Sequence, residues 1–306
     1  MNINKKFLLK LFVLLIIIVS ADRLVGHVLQ SLYFKTKYNK SYYTNYAVNQ
    51  VNDDVLIFGA SRASHHYIPS ILSDSLQMSV FNCGSDGQSI FYHYGLLMKI
   101  KERYLPKLII LDLSPTDFYK NIYSIEGVKD LTPYYGSNKD LDSLINQISP
   151  FEKFKMVSMC YRYNSKIVEI FRDNFRQIEQ NENGYEPLFE QMKPIPSKIS
   201  LQEEKIIDPE KIYYLEKFIA FCKQNNIKIV LSISPIYYIW ENNNDFTLVE
   251  NIAKKYNVPL YNHWCDSGFT GKNVLFKDGI HLDNDGAIKY SSIIAKEIQL
   301  YLRNFE

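Results

Sequence analysis

Ser61 stands just beyond a short apolar run, Val55-Leu56-Ile57-Phe58, and a Gly59-Ala60 corner. A buried parallel strand that ends in small residues delivers a serine to the C-terminal edge of a sheet, where its hydroxyl could act as a nucleophile. The same corner could equally be a strand-to-helix turn with Ser61 as its N-cap. Near the far end of the chain, Asp278 and His281 lie three residues apart in a loop. One turn at that spacing lets a carboxylate accept from one imidazole nitrogen while the other faces outward. A nucleophilic serine needs that arrangement: a neutral imidazole to take its proton and an anion to hold the tautomer and support the imidazolium. Between them, residues 82–87 form a glycine-bearing loop, Asn82-Cys83-Gly84-Ser85-Asp86-Gly87. Each feature is weak alone, and together they make a coherent set.

Neighbouring residues invite further roles. His65 and His66 follow the serine at a helix start, where one could lean toward the site or meet an anion; a surface or capping histidine is the commoner case. Arg62 could meet a substrate carboxylate or form a surface pair. His263 and Trp264 are expected to pack beside the final loop.

Positioning these groups calls for alternating strands and helices. Apolar runs predict strands at 55–58, 78–82, 108–112, 227–233 and 258–261. Helical periodicity predicts helices over 67–76, 89–104, 208–225, 246–256 and 284–302, with Ile68, Ile71, Leu72 and Leu76 on one face of the first. Strand and helix at this spacing argue a parallel α/β sheet. The fold expected is a three-layer α/β/α domain over residues 53–306, with a parallel five-stranded sheet of the flavodoxin-like kind. Residues 38–52, rich in Tyr, Asn and Ser, read as a linker, and the segment 35–52 is assigned to it.

The stretch at about 119–205 is too long for an ordinary connection and reads as a helical insertion, either a substrate-contacting cap or a packing hairpin. Within it, residues 141–176 predict one or two helices broken at Pro150, with Phe154, Val157, Cys160 and Tyr161 as an apolar face.

The N-terminus begins with Lys5-Lys6 and runs apolar from Phe7 to Ala21, broken only by Lys10 and Ser20. Its uninterrupted part is short against the ~20 residues that span a bilayer, which suits a secretory h-region, and Val19-Ser20-Ala21 suits cleavage after Ala21. The apolar pattern nevertheless continues through Leu24, Val25, Val28, Leu29 and Leu32, so residues 1–34 are read as an uncleaved signal anchor. The body is then membrane-anchored on the extracytoplasmic face, in the periplasm or at the cell surface.

Composition excludes several classes. The formal charge of +2 divides into +3 over residues 1–21, +3 over residues 22–50 and −4 over the rest, so no nucleic-acid footprint is expected. Cys83, Cys160, Cys222 and Cys265 are far apart and form no CxxC pair, so no zinc or redox motif is signalled, and no metal or cofactor is expected. The 24 Tyr and 18 Phe favour amphipathic surfaces or a groove for an extended ligand.

Taken in order, these blocks resemble the SGNH/GDSL hydrolase family over about residues 54–300. Gly59-Ala60-Ser61 matches its first block with Ala60 where Asp is usual. Asn82, Gly84 and Gly87 match its second in full. Asp278, His281, Gly286 and Ala287 match its last. The resemblance implies Ser61 as nucleophile, His281 as base and then acid, and Asp278 as the orienting carboxylate. It also implies an oxyanion and substrate site built from Gly84, Asn82 and a third-block residue. There the family carries Asn, and this chain has Thr116 within Ser114-Pro115-Thr116-Asp117. Losing one oxyanion donor typically costs ~3 kcal/mol, which slows an enzyme without abolishing it.

The resemblance implies an exported serine esterase or O-acyltransferase acting on acyl groups of an envelope saccharide. Membrane-anchored branches of the family include proteins similar to the D-alanine transfer protein of teichoic acid. The competing expectation is a catalytically weak module that binds envelope glycan or a partner membrane acyltransferase. A lipase on long acyl chains has less support, because no separate apolar lid is evident.

Overall fold

The computed structural model describes residues 4–37, 39–121, 124–175, 183–199, 206–240 and 246–303. The chain forms two compact units, residues 46–127 with 180–306, and residues 1–45 with 128–179.

The first of these units holds the strands β1 (Val55–Phe58), β2 (Val80–Asn82), β3 (Leu108–Asp112), β4 (Lys198–Ile199), β5 (Lys228–Ile233), β6 (Ile239–Trp240) and β7 (Leu260–Asn262). Five of them form one parallel sheet in the order β2-β1-β3-β5-β7, while β4 and β6 make a small parallel pair. Val55 is in register with Val80 on one side and Leu108 on the other, so the chain leaves β1 for one neighbour and then crosses to the opposite one. Beside the C-terminal end of β1 lies the topological switch point, the crevice where open α/β sheets place their ligands.

Side chains of a strand alternate between faces, and here both faces are covered. Val55, Ile57, Leu108, Ile110 and Val230 share a core with Ala63, Tyr67, Leu72, Tyr290, Ile294 and Ile298. Apart from Tyr67, which links the first two, those partners come from α3 (Ser61–His66), α4 (Pro69–Leu76) and α11 (Asn284–Arg303), with α11 packed on both others. The opposite face takes α5 (Ile90–Ile100) and α9 (Pro209–Gln224), where Phe58 meets Phe218 edge-on at 5.4 Å. Each fully buried Leu, Ile or Phe here contributes roughly 1.5–3 kcal/mol relative to exposure. α10 (Thr247–Tyr256) leads into β7.

The other unit contains α1 (Lys5–Lys35), α6 (Lys139–Ile145), α7 (Glu152–Lys155) and α8 (Ile167–Asn174). Leu29 and Tyr33 of α1 pack with Tyr163 and Ile170, and the Asp22 carboxylate accepts from the backbone N–H groups of Met159 and Cys160 at 2.8 and 3.2 Å. The expected apolar face of Phe154 and Val157 is not buried: both are exposed, and Leu141, Leu144, Met156 and Tyr163 fill the interior instead. Two helix breaks after Ile145 and Lys155 reset the periodicity on which that expectation rested. Arg176 lies outside the described residues, as do 200–205 of the predicted insertion.

α2 (Asn39–Asn49) corrects the linker reading. Its buried stripe is largely polar, Ser41, Thr44 and Asn45 beside Val48, so no apolar period marks it. Asn45 donates to the Tyr33 carbonyl at 3.1 Å, a hydrogen bond that takes the place of apolar burial. Tyr38, where the predicted linker began, lies outside the described residues.

No helix among the described residues is long and apolar enough to cross a membrane. In α1, only residues 11–21 separate Lys10 from Asp22, a rise of roughly 16 Å against ~30 Å of hydrocarbon.

Candidate active site

The corner after β1 needs Gly59. Its φ of 147° is one that side chains rarely adopt, and a Cβ there would fall 2.8 Å from the Asp112 carbonyl. α3 begins at once, with Ala60 as N-cap and Ser61 as the first helical residue, so Ser61 does not cap the helix. No side chain caps this end, which leaves the Ser61 N–H without a capping partner.

Across the crevice, the loop 276–282 is closed by the Lys277 N–H on the His281 carbonyl at 2.9 Å and by an antiparallel bridge between Phe276 and Leu282. Asp278 accepts the backbone N–H groups of Ile280 and His281, each at 2.9 Å, and His281 Nδ1 at 2.8 Å. His281 Nε2 then lies 2.7 Å from Ser61 Oγ. Partial burial pushes the Asp278 carboxyl up, but the hydrogen bonds from His281 and the backbone outweigh it and hold the group at about 2. An ionised Asp278 accepts a hydrogen bond from Nδ1–H, which keeps the hydrogen on Nδ1 and leaves Nε2 as the acceptor for the serine hydroxyl. The three residues singled out from opposite ends of the sequence are thus hydrogen-bonded in series.

The proposed oxyanion groups sit differently. The Gly84 N–H is directed to Asn82 Oδ1 at 2.8 Å. The glycine serves instead by what it lacks: a Cβ would fall 2.5 Å from the Ser64 nitrogen, so the loop after β2 presses directly on α3. Asn82 is buried, and its amide donates to the carbonyls of Ala63 and Tyr67 at 2.7 and 3.0 Å, clamping α3 rather than facing a ligand. Thr116 is exposed, in a 3₁₀ turn, with its hydroxyl 2.8 Å from that of Ser114. Ser114 is buried and also accepts from the Thr116 N–H at 3.2 Å. The hydrogen bonds of Thr116 stay within this turn.

His65 and His66 are not surface residues. Both are buried, with rings 5.7 and 6.5 Å from that of His281. His65 Nδ1 donates to the Glu186 carbonyl at 2.6 Å and Nε2 faces the Asp86 carboxylate at 3.2 Å. Burial would lower its pKa, but the hydrogen bond and charge of Asp86 outweigh this and raise it. His65, Asp86 and Glu186 bring one ligand atom each within 4.8 Å of one another. The His65–Asp86 contact is an ion pair when the ring is protonated.

A pH prediction follows from His65. A raised histidine pKa contributes stability that is complete below the unfolded value near 6.5 and fades as pH rises through the folded value. Asp86→Asn should therefore cost about 1 kcal/mol in urea unfolding at pH 6, a modest figure because Asp86 is half exposed, and almost nothing at pH 9. An equal cost at both pH values would contradict the pairing.

Arg62 is buried as well, its guanidinium 4.9 Å over the Trp264 ring and 3.5 Å from Asp112. It is therefore not the surface pair its position suggested. His263 bonds Asp266 and Glu297 at 3.2 and 2.9 Å, packing the loop after β7 on α11.

No family model and no curated protein matches this sequence. Solved structures do resemble it. A psychrotrophic esterase from Pseudoalteromonas sp. is 11% identical, with 82% of this chain and 100% of that one covered and a TM-score of 0.44. A Desulfitobacterium hafniense protein assigned to the G-D-S-L lipolytic family is 10% identical, covering 79% and 98%, with a TM-score of 0.40. A lipase/acylhydrolase from Enterococcus faecalis is 11% identical, covering 80% and 94%, at 0.35. At such values the function rests on the geometry of the site itself.

Proposed function

We propose that this chain is a serine esterase or O-acyltransferase of the SGNH/GDSL type, acting on acyl groups of a cell-envelope saccharide. The observation that carries this reading is the series Asp278, His281 Nε2, Ser61 Oγ, with its 2.7 Å final link. Ser61 Oγ attacks the acyl carbonyl while its proton passes to His281 Nε2, and the resulting imidazolium is supported by Asp278. The carbonyl oxygen takes up negative charge opposite the uncapped Ser61 N–H. Collapse expels the sugar oxygen, which receives the proton from His281 and leaves the acyl group on Ser61. Water or a second hydroxyl, deprotonated by His281, then removes it.

The test is acyl release from an O-acylated glycan by the full chain. Release that vanishes in Ser61→Ala supports the reading, and release unaffected by that change removes it. The engagement of Gly84 with Asn82 favours a second reading, a catalytically weak module that binds envelope glycan or a partner membrane acyltransferase. Glycan binding that survives Ser61→Ala, with no ester turnover by either protein, selects that alternative.

The proposal includes attachment to a membrane on its extracytoplasmic side. From Phe7 to Val19 the apolar side chains of α1 are exposed on every side of the helix, a pattern suited to lipid. With Lys10 reaching outward along its own stem, residues 7–21 rise roughly 22 Å, short of an unthinned hydrocarbon core, so the segment anchors only where the bilayer thins around it, the lysines before it staying on the cytoplasmic side. Flotation of the full chain with lipid vesicles, lost on removal of residues 1–21, is the expected result.

A further inference from the structure

His66 is fully buried and both of its ring nitrogens are committed. Nε2 accepts the backbone N–H of Leu282 at 2.9 Å, and Leu282 is the residue immediately after His281. An accepting Nε2 carries no hydrogen, so the ring is the Nδ1–H tautomer, and that hydrogen is directed to Ser234 Oγ, 3.0 Å away. The Ser234 backbone N–H is itself held by Asp112 at 3.0 Å. On the main-chain side, Ser291 Oγ donates to the His66 carbonyl at 3.2 Å while accepting the Ile68 N–H at 2.8 Å. A continuous series of hydrogen bonds therefore runs from the C-terminal end of β3, through Ser234 and the His66 ring, to the main chain beside His281.

We propose that His66 is a positioning residue for this site: its ring, held as one tautomer, fixes the main chain at Leu282 and so sets the distance from His281 to Ser61. The inference rests on the catalytic reading of Ser61 and His281 and goes beyond it. Protonation of Nε2 would place two donors face to face with no acceptor between them. Burial, and then the positive charge of Arg62, oppose that protonation and push the ring's pKa well below the ordinary histidine range. A residue with this role touches no substrate, so its removal should act on the rate of the chemical step rather than on binding. Misplacement of a reacting group by ~1 Å can cost on the order of a hundredfold.

The experiment compares His66→Phe, which keeps the ring shape and loses the acceptor, with His66→Gln, whose Oε1 reaches about as far as Nε2. In p-nitrophenyl acetate hydrolysis by the full chain, the phenylalanine variant should lose roughly 10- to 100-fold in kcat, with KM within about threefold. The glutamine variant should return kcat to within about threefold of the parent. Nitrogen NMR of the unsubstituted protein should show a protonated Nδ1 and a bare Nε2 at His66 that do not titrate between about pH 5 and 8. Full kcat in His66→Phe, a glutamine variant no faster than the phenylalanine one, or a ring that titrates in that range would each overturn the proposal. The same assay on Ser61→Ala separates the two ideas: turnover surviving there removes the catalytic reading, whatever the NMR of His66 shows.

Discussion

His281→Ala should lower kcat for an activated ester on the order of 10⁴-fold or more, and Ser61→Ala should do the same. The two residues act as one unit, because the hydroxyl is a poor nucleophile until Nε2, at 2.7 Å, removes its proton. The double variant should consequently be no slower than either single one. Asp278→Asn should be milder than removal of His281 but still severe, since an amide can present its N–H to Nδ1 and reverse the tautomer. The change should fall in kcat with KM little altered, because none of the three is asked to bind the substrate more tightly in its ground state. Steady-state kinetics on the full chain, with circular dichroism to show that each variant is folded, decides this. Additive losses, with the double variant far below the singles, would mean that Ser61 and His281 do not work on the same step.

The second large effect is on stability. Asp112 lies at the end of β3, fully buried, where its carboxylate accepts the Tyr67 hydroxyl at 2.6 Å and the Ser234 N–H at 3.0 Å and faces the guanidinium of Arg62. Burial raises the Asp112 pKa, partly offset by the charge of Arg62 and by these hydrogen bonds. Asp112→Ala leaves a buried guanidinium beside Trp264 without this counter-charge and strips acceptors from two buried donors. A loss of about 3–5 kcal/mol is expected. Asp112→Asn keeps an oxygen for Tyr67 and Ser234 and should cost less. Adding Arg62→Met to Asp112→Asn should recover much of that loss, because the uncompensated charge disappears. Urea unfolding of the parent, Asp112→Asn, Arg62→Met and the double variant gives the coupling directly. Strictly additive costs would show that Arg62 and Asp112 do not depend on one another.

Much of this molecule is legible in its sequence, for identifiable reasons. The run Leu108–Leu111 is apolar throughout because both faces of β3 are covered, and the bounds of the strand, Leu108–Asp112, can be read without a structure. Asp278 and His281 are legible because their pairing is local, closed by a single turn. Gly84 is recognisable as a position where only glycine fits, but its purpose is not. The N–H that a motif assigns to an oxyanion is taken here by Asn82, three-dimensional information that no spacing carries.

Polar groups that solve a problem by hydrogen bonding are the hardest to read. The helix Asn39–Asn49 buries Ser41, Thr44 and Asn45, so it shows no apolar period. Two consecutive histidines look like surface residues until Glu186, Asp86, Ser234 and Leu282 are seen to partner both rings completely. Arg62 is the same case, since a charge next to a candidate nucleophile suggests a ligand, and its partner proves to be a carboxylate at the end of β3.

The most direct test of the central claim is covalent labelling of Ser61. An alkyl fluorophosphonate reacts with a serine whose proton is being withdrawn by a neighbouring base, and the adduct is located by mass spectrometry of peptides from the full chain. The account predicts one adduct, on the peptide carrying Ser61, formed at a rate that collapses in His281→Ala. A folded protein that takes up no label, or takes it up at another residue, would contradict it.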